Sequence, residues 1–119
     1  MADKKRIFIA DDDEVVLESL KKLLELSDFA VGATLNSKEV ITKIKSFKPD
    51  LILLDLLMPN PGGFEICQML NSDKETSDIP IIVISALGGQ ADIKKAYRLG
   101  VIGYITKPYD FQFLLGEIR

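Results

Sequence analysis

Histidine is absent from this 119-residue sequence, and cysteine occurs once, as Cys67. Without histidine the chain has no imidazole base, lacks the donor of most zinc sites and cannot itself carry a phosphohistidine. One cysteine excludes an internal disulfide and fits a reducing compartment. Its neighbours Phe64, Ile66, Met69 and Leu70 follow a helical pattern, so a buried structural thiol is expected. Long apolar runs are missing as well. None approaches the ~18 residues of a membrane span, and the amino terminus shows no signal-peptide pattern. A cytoplasmic protein without membrane contact is expected. Positive charge is not in excess either: 15 basic residues face 18 acidic ones, for a net charge of -3. Lys4-Lys5-Arg6 is a short run that reads as a solvated start, and direct nucleic-acid binding is not expected. Neither a GxxxxGK[ST] loop nor a GxGxxG fingerprint is present, so nucleotide binding has no support.

What remains is an ordinary globular composition, 47% hydrophobic and 28% charged. The length suits one domain that buries roughly two-thirds of its unfolded surface. Five short apolar runs stand out: Arg6–Ala10, Ala30–Leu35, Leu51–Leu54, Ile79–Ile84 and Ile102–Thr106. Their apolar residues are consecutive rather than alternating, which predicts strands covered on both faces, as in a parallel sheet. Helical patterns lie between them. Glu14–Ser27 places Val15, Val16, Leu20, Leu23 and Leu24 near helical spacing, with Asp13 available as a cap. Ser37 is a candidate cap for a helix through Phe47, which Pro49 helps to end. Gly62-Gly63 opens a third helix, Phe64 to about Leu70, and Gly88-Gly89 precedes a fourth over Gln90 to Leu99, capped by Gly100. A fifth starts near Asp110 and still runs at Arg119. This alternation predicts a three-layer α/β domain over 1–119 with right-handed crossovers. The final helix reads as short for one that covers a sheet. A truncated helix, with any effector domain outside these residues, is the expectation.

In such sheets ligands collect beyond the carboxyl ends of the strands. Asp11 and Asp12 follow the first strand, Asp55 the third, Ser85 the fourth and Lys107 the fifth, all on one sheet edge. Carboxylates gathered there repel one another unless a hard cation sits among them. An all-oxygen donor set favours Mg²⁺ or Mn²⁺. A lysine and a hydroxyl opposite that cation complete a cradle for a phosphoryl group, with an aspartate as covalent acceptor. Each element alone has a plainer explanation. The Asp11–Glu14 cluster suits a helix dipole, Asp55 and Ser85 suit turn caps, and Lys107-Pro108 suits an exposed turn. Their joint occurrence, in register with the strand ends, does not.

In this order and spacing, four stretches resemble the receiver domain of two-component response regulators over essentially the whole chain. They are Arg6-Ile-Phe-Ile-Ala-Asp-Asp-Asp13, Leu53-Leu-Asp55-Leu-Leu-Met-Pro59 with Gly63, Ile84-Ser-Ala86, and Tyr104-Ile-Thr-Lys107-Pro108. The resemblance implies a (βα)5 flavodoxin-like fold whose parallel five-stranded sheet has the order 2-1-3-4-5. It implies Asp55 as phosphoacceptor, served by a phosphohistidine on a sensor histidine kinase or histidine phosphotransfer protein. Asp11, Asp12, Asp55 and the backbone carbonyl of Leu57 would hold Mg²⁺, Lys107 and Ser85 would meet the phosphoryl oxygens, and Tyr104 would turn inward with Ser85. The Lys107–Pro108 peptide would be cis. The output would pass through the surface of the fourth helix, fifth strand and fifth helix to a partner, an effector domain or a second copy. Such a chain is a switch that catalyses only its own phosphorylation and dephosphorylation.

Two departures from the commoner pattern stand beside the match. Pro61-Gly62 replaces a more usual Met-Asp, and the apolar Leu57 and Leu87 sit two residues after Asp55 and Ser85, at positions that the resemblance links to phosphoryl lifetime. A haloacid-dehalogenase-type phosphatase would want a second aspartate where Leu57 stands. A pseudo-receiver would lack part of the set Asp11, Asp12, Asp55, Ser85 and Lys107.

Overall fold

Helices on both faces leave these strands no solvent side, which is why their apolar residues run on without alternation. The computed structural model describes residues 3–119. In chain order it contains β1 (Arg6–Ala10), α1 (Glu14–Leu26), β2 (Ala30–Thr34), a 3-10 turn (Ser37–Glu39), α2 (Val40–Phe47), β3 (Leu51–Leu54), α3 (Gly63–Ser72), β4 (Ile81–Ser85), α4 (Gln90–Arg98), β5 (Gly103–Thr106) and α5 (Phe111–Ile118). The strands are parallel and ordered β2-β1-β3-β4-β5, the order expected of a flavodoxin-like sheet.

Side-chain alternation divides the core into two layers. Phe8, Ala10, Ile52, Leu54, Ile81 and Val83 pack with Val40 and Ile44 of α2, Ile66 and Leu70 of α3 and Ala96 of α4. Ile7, Ile9, Leu51, Leu53, Ile82 and Ile84 pack on the other face with Leu17, Leu20 and Leu24 of α1 and Leu114, Leu115 and Ile118 of α5. Cys67 is fully buried in the first layer, and burial pushes its thiol pKa up to about 12, as suits a packing residue. Among the described residues, no helix is long and apolar enough to cross a membrane.

Several element ends differ from the sequence expectation, each for a local reason. β4 starts at Ile81 and includes Ser85. Before it, the Ile79 amide donates to the Thr76 carbonyl, and Pro80 has no N–H for a ladder. β2 stops at Thr34, whose hydroxyl accepts from the Asn36 amide at 3.2 Å and turns the chain. β5 begins at Gly103, leaving Ile102 61% exposed. Ser37 does not cap a helix. Asn36 caps the 3-10 turn by accepting from the Lys38 amide at 3.0 Å, and α2 begins only at Val40. That helix ends at Phe47, with Lys48 in the left-handed region at φ 54°. α3 runs on to Ser72, α4 stops at Arg98 ahead of Gly100 (φ 97°), and α5 stops at Ile118. Asp13 does cap α1, accepting from the Val15 and Val16 amides.

Candidate functional site

The register of the sheet delivers the polar residues to one edge. Ala10 pairs with Leu54 and with Thr34, so the residues after β1 and β3 emerge side by side. The Asp55 amide donates to the Ala10 carbonyl at 2.9 Å, and the Asp11 amide donates to the Thr34 carbonyl at 3.3 Å. On the other flank Ser85 pairs with Thr106, and the Lys107 amide donates to the Ser85 carbonyl at 2.8 Å. Backbone bonding therefore sets where all four side chains start.

Asp11 and Asp55 are buried, at 4% and 6% exposure, while Asp12 is exposed. Oxygens of the three carboxylates lie within 4.8 Å of one another. Lys107 Nζ lies 2.8 Å from Asp11 Oδ2 and 3.1 Å from Asp55 Oδ2, donating to both. Each buried carboxylate has its other oxygen held by the amide two residues on: Asp13 N–H to Asp11 Oδ1 and Leu57 N–H to Asp55 Oδ1, both at 2.9 Å. Burial raises the Asp11 pKa above its ordinary 3.8, an effect that the Lys107 bond opposes without cancelling. For Lys107, burial works against the ammonium, but the Asp11 and Asp55 carboxylates outweigh it and raise its pKa. The lysine is thus held charged, and the carboxylates remain one positive charge short of balance even in pairs.

Ser85 is fully buried, and its Oγ accepts from the Leu87 amide at 3.2 Å. The Tyr104 ring packs against the α2–α3–α4 layer, and its hydroxyl donates to the Leu87 carbonyl. Burial, and then the charge of Asp92, raise the Tyr104 pKa, so the phenol stays a donor. Ser85 and Tyr104 thereby meet on the same loop residue, an arrangement with Tyr104 already turned inward. The Lys107–Pro108 peptide is cis.

Three features beyond the sequence reading shape the site. Gly63 must be glycine for a steric reason: a Cβ there would lie 2.3 Å from Leu56 Cα and 2.9 Å from the Asp55 carbonyl oxygen. The α3 amino terminus thereby presses directly on the residues around Asp55. The Asn60–Pro61 peptide is also cis, within the same loop. Finally, an apolar groove of about 650 Å³ lies beside Lys107, between α1 residues Val15, Val16 and Leu20 and the Pro108, Tyr109 and Phe111 segment. No local sequence signal marks Gly63's contact or the groove, because both depend on elements that meet only in three dimensions.

The donor set matches a hard divalent cation. It offers only oxygens, has two carboxylates fixed by backbone amides, and has a third at the solvent side. Comparison with known proteins agrees with this architecture. The family model of the response regulator receiver domain matches residues 7–119. The chain is 34% identical over 114 residues to the DNA-binding dual master transcriptional regulator RpaA of Synechocystis sp., covering 96% of this chain and 47% of that protein. It spans about half the length of the curated relatives it matches first. Its structure superposes with a TM-score of 0.89 on a CheY-like response regulator receiver domain protein from Methanospirillum hungatei JF-1, at 28% identity over 97% of this chain and 90% of that one. A response regulator from Burkholderia pseudomallei, solved with a phosphorylated aspartic acid, calcium ion and citrate, gives a TM-score of 0.88 at 25% identity, over 98% of this chain and 67% of that one. By fold, site architecture and sequence, the chain belongs to the response regulator receiver domain family of two-component systems.

Proposed function

We propose that Asp55 is the phosphoacceptor of this receiver domain and that Asp11, Asp12, Lys107, Ser85 and Tyr104 serve it. One observation carries the reading: three carboxylates converge within 4.8 Å while one lysine bridges the two buried ones. In the transfer an Asp55 oxygen forms a bond to phosphorus as the P–N bond of a donor phosphohistidine breaks. The electron pair goes to the imidazole nitrogen of the donor. Leu57 N–H and Lys107 hold the Asp55 carboxylate in orientation. An ammonium has three N–H donors, and Asp11 and Asp55 engage two, so one remains for a phosphoryl oxygen.

Asp11, Asp12, Asp55 and the Leu57 carbonyl would hold Mg²⁺, or Mn²⁺ in its place. The cation supplies neutralisation of the phosphoryl charge, the dominant requirement of this chemistry. The phosphorylated aspartic acid and calcium ion of the Burkholderia protein support the same pairing of acceptor and divalent cation. The chain acts as a switch rather than as an enzyme with a released product, in the cytoplasm, with a sensor histidine kinase or phosphotransfer protein as donor. The apolar wall of the α1 groove borders Lys107, beside the site that this donor would reach.

The phosphoryl group adds charge and acceptor oxygens that Ser85 and Lys107 can meet. Ser85 and Tyr104 share Leu87, so a shift of the serine is felt by Tyr104 of β5 and by the loop that leads into α4. The output surface is that of α4, β5 and α5, where Tyr97, Ile102 and Phe113 are exposed at 49%, 61% and 56%. An effector domain, a separate protein or a second copy would read it. Mg²⁺-dependent labelling with acetyl phosphate tests the assignment. One acid-stable, base-labile phosphoryl group per chain is expected, with none in Asp55→Asn; labelling that persists in that variant refutes the site. Turnover of a separate phosphoester would point instead to a phosphatase, and absence of labelling to a degenerate receiver.

A further inference from the structure

Ser37 reads in sequence as a helix cap, but its hydroxyl is committed elsewhere. The residue is 5% exposed, and its single O–H is shared between two acceptors in the loop between β3 and α3, the Pro59 carbonyl at 2.6 Å and the Pro61 carbonyl at 2.7 Å. Its own turn does not need that hydroxyl, because Asn36 accepts from the Lys38 amide and the Glu39 amide donates to the Asn36 carbonyl. Thr34 and Asn36 in turn fix this segment to the end of β2.

The loop that Ser37 reaches has few polar ties of its own. Pro59 and Pro61 carry no N–H. The Leu57 amide is spent on Asp55 Oδ1, and the Gly63 amide closes back on the Leu56 carbonyl at 3.1 Å. Among the described residues, the hydrogen bonds that tie residues 57–61 to another element come from Ser37. Met58 anchors the loop's apolar side, at 4% exposure. In the sheet, β1 lies between β2 and β3, so the Ser37 contact joins the loops on either side of the strand that Asp11 and Asp12 follow.

We propose that Ser37 is a positioning residue for the divalent-cation site, holding the Pro59–Pro61 loop so that the Leu57 carbonyl stays in coordinating register with the carboxylates. The proposal rests on the cation reading of the acidic cluster. Mg²⁺ demands near-ideal octahedral geometry at about 2.0–2.1 Å, so a small drift of one ligand costs affinity. A hydroxyl that fixes the loop therefore acts on binding even though it touches no ion.

Thr76 provides the control. It is 1% exposed and donates to the Leu70 carbonyl at 2.7 Å, in the loop before β4 at the opposite edge of the sheet. Ser37→Ala and Thr76→Ala each remove a buried hydroxyl-to-carbonyl bond, so both lose stability. Calorimetric titration of the whole chain with Mg²⁺ and with Mn²⁺, at a temperature where all variants are folded, separates them. Ser37→Ala is expected to bind about tenfold more weakly, the scale seen when a group that orients a metal ligand is lost. Thr76→Ala is expected to match wild type. Ser37→Cys keeps the volume with a weaker donor, is expected to fall between, and carries the comparison if the alanine variant does not fold. Wild-type affinity in folded Ser37→Ala or Ser37→Cys overturns the role of Ser37, as does an equal loss in Thr76→Ala. A wild-type chain that binds neither cation overturns the cation reading itself, and the role of Ser37 with it.

Discussion

The two edges of the sheet handle charge in opposite ways. At the amino-terminal edge charges are paired near solvent: Lys45 meets Asp73 at 2.6 Å and Glu75 at 3.6 Å, and Lys4 meets Asp28 at 3.5 Å. Arg6 there stacks 4.1 Å over the Phe47 ring and donates to the Phe47 carbonyl at 2.7 Å, clamping α2 to β1. Solvent-screened pairs of this kind contribute little to stability, and they assemble the fold without asking anything of a ligand. At the carboxyl-terminal edge three carboxylates confront one lysine, and two of them are buried. Burying unbalanced charge opposes folding, so the edge that carries it is maintained for chemistry rather than for stability.

Replacing the one key cation at each edge should break this contrast most sharply. Lys107→Met removes the bridge between Asp11 and Asp55, and phosphoryl labelling should fall by about 100-fold, the scale of losing one charge-stabilising donor. Arg6→Met should cost about 1–2 kcal/mol in denaturant unfolding through the lost guanidinium–carbonyl bond and ring contact. Its labelling rate should stay at the wild-type value. Comparable labelling losses in the two variants would erase the functional difference between the edges.

The next largest effect concerns backbone approach. Gly63→Ala puts a Cβ 2.3 Å from Leu56 Cα, a backbone atom that cannot swing aside. We expect a stability loss of about 3 kcal/mol and slowed labelling, because the displaced segment includes Asp55. Gly116, in α5, has nothing within 4 Å of such a Cβ. Gly116→Ala should stabilise by about 0.5–1 kcal/mol through helix propensity and leave labelling alone. Chemical denaturation with parallel labelling checks both, and a stable, active Gly63→Ala protein would remove the packing argument.

These two glycines also show what a linear reading could reach. The strand and helix alternation was legible because burial on both faces leaves an unbroken apolar run, as at Leu51–Leu54, and because Asp13 caps locally. Asp11, Asp55, Ser85 and Lys107 were legible because a parallel sheet brings strand ends together in a known order. Strand limits at Ile81 and Gly103 were not, since they follow from where Pro80 and Ile102 fit against neighbours. Ser37 was misread for the same reason: its residue type fits a cap, and only tertiary contact shows its hydroxyl on Pro59 and Pro61. Gly63's identity was visible, while the reason for it, contact with the Leu56 backbone, was not.

A smaller effect tests the stability cost of the charged edge. The folded-state pKa of Asp11 is raised, chiefly by burial, so the folded chain holds this proton more tightly than the unfolded one. Its favourable contribution is therefore complete below the ordinary 3.8 and is lost as pH rises through the folded value. At neutral pH the ionised Asp11 opposes folding. Asp11→Asn should accordingly raise the melting temperature by a few degrees at pH 7 in metal-free buffer, with the gain fading as pH falls through the raised folded value towards 3.8, while cation binding is lost. Lys107 adds a limit at the alkaline end. Its raised pKa makes its contribution complete below 10.5 and lost as pH climbs through the higher folded value. A fall in melting temperature for Asp11→Asn at pH 7 would show that the bond to Lys107 outweighs burial.

The subtlest difference lies within the functional edge, between the proposed phosphoacceptor Asp55 and the apolar residues proposed to set the lifetime of its phosphoryl group. Leu57 is 49% exposed, and its amide is bound to Asp55 Oδ1, so its side chain stands at the acceptor with no polar atom to offer. Hydrolysis of an aspartyl phosphate needs a water aligned in line with the P–O bond, and orientation of a reactant contributes strongly to rate. A leucine cannot orient that water by hydrogen bonding, and Leu87 after Ser85 adds none. Leu57→Asn supplies a donor and acceptor of similar volume at the same position. Decay of the labelled protein, followed after removal of the phosphodonor, should quicken several-fold in this variant while the extent of labelling by excess donor stays the same. An unchanged decay rate would mean that water access is set elsewhere in the loop, and that Leu57 serves the site through its backbone alone.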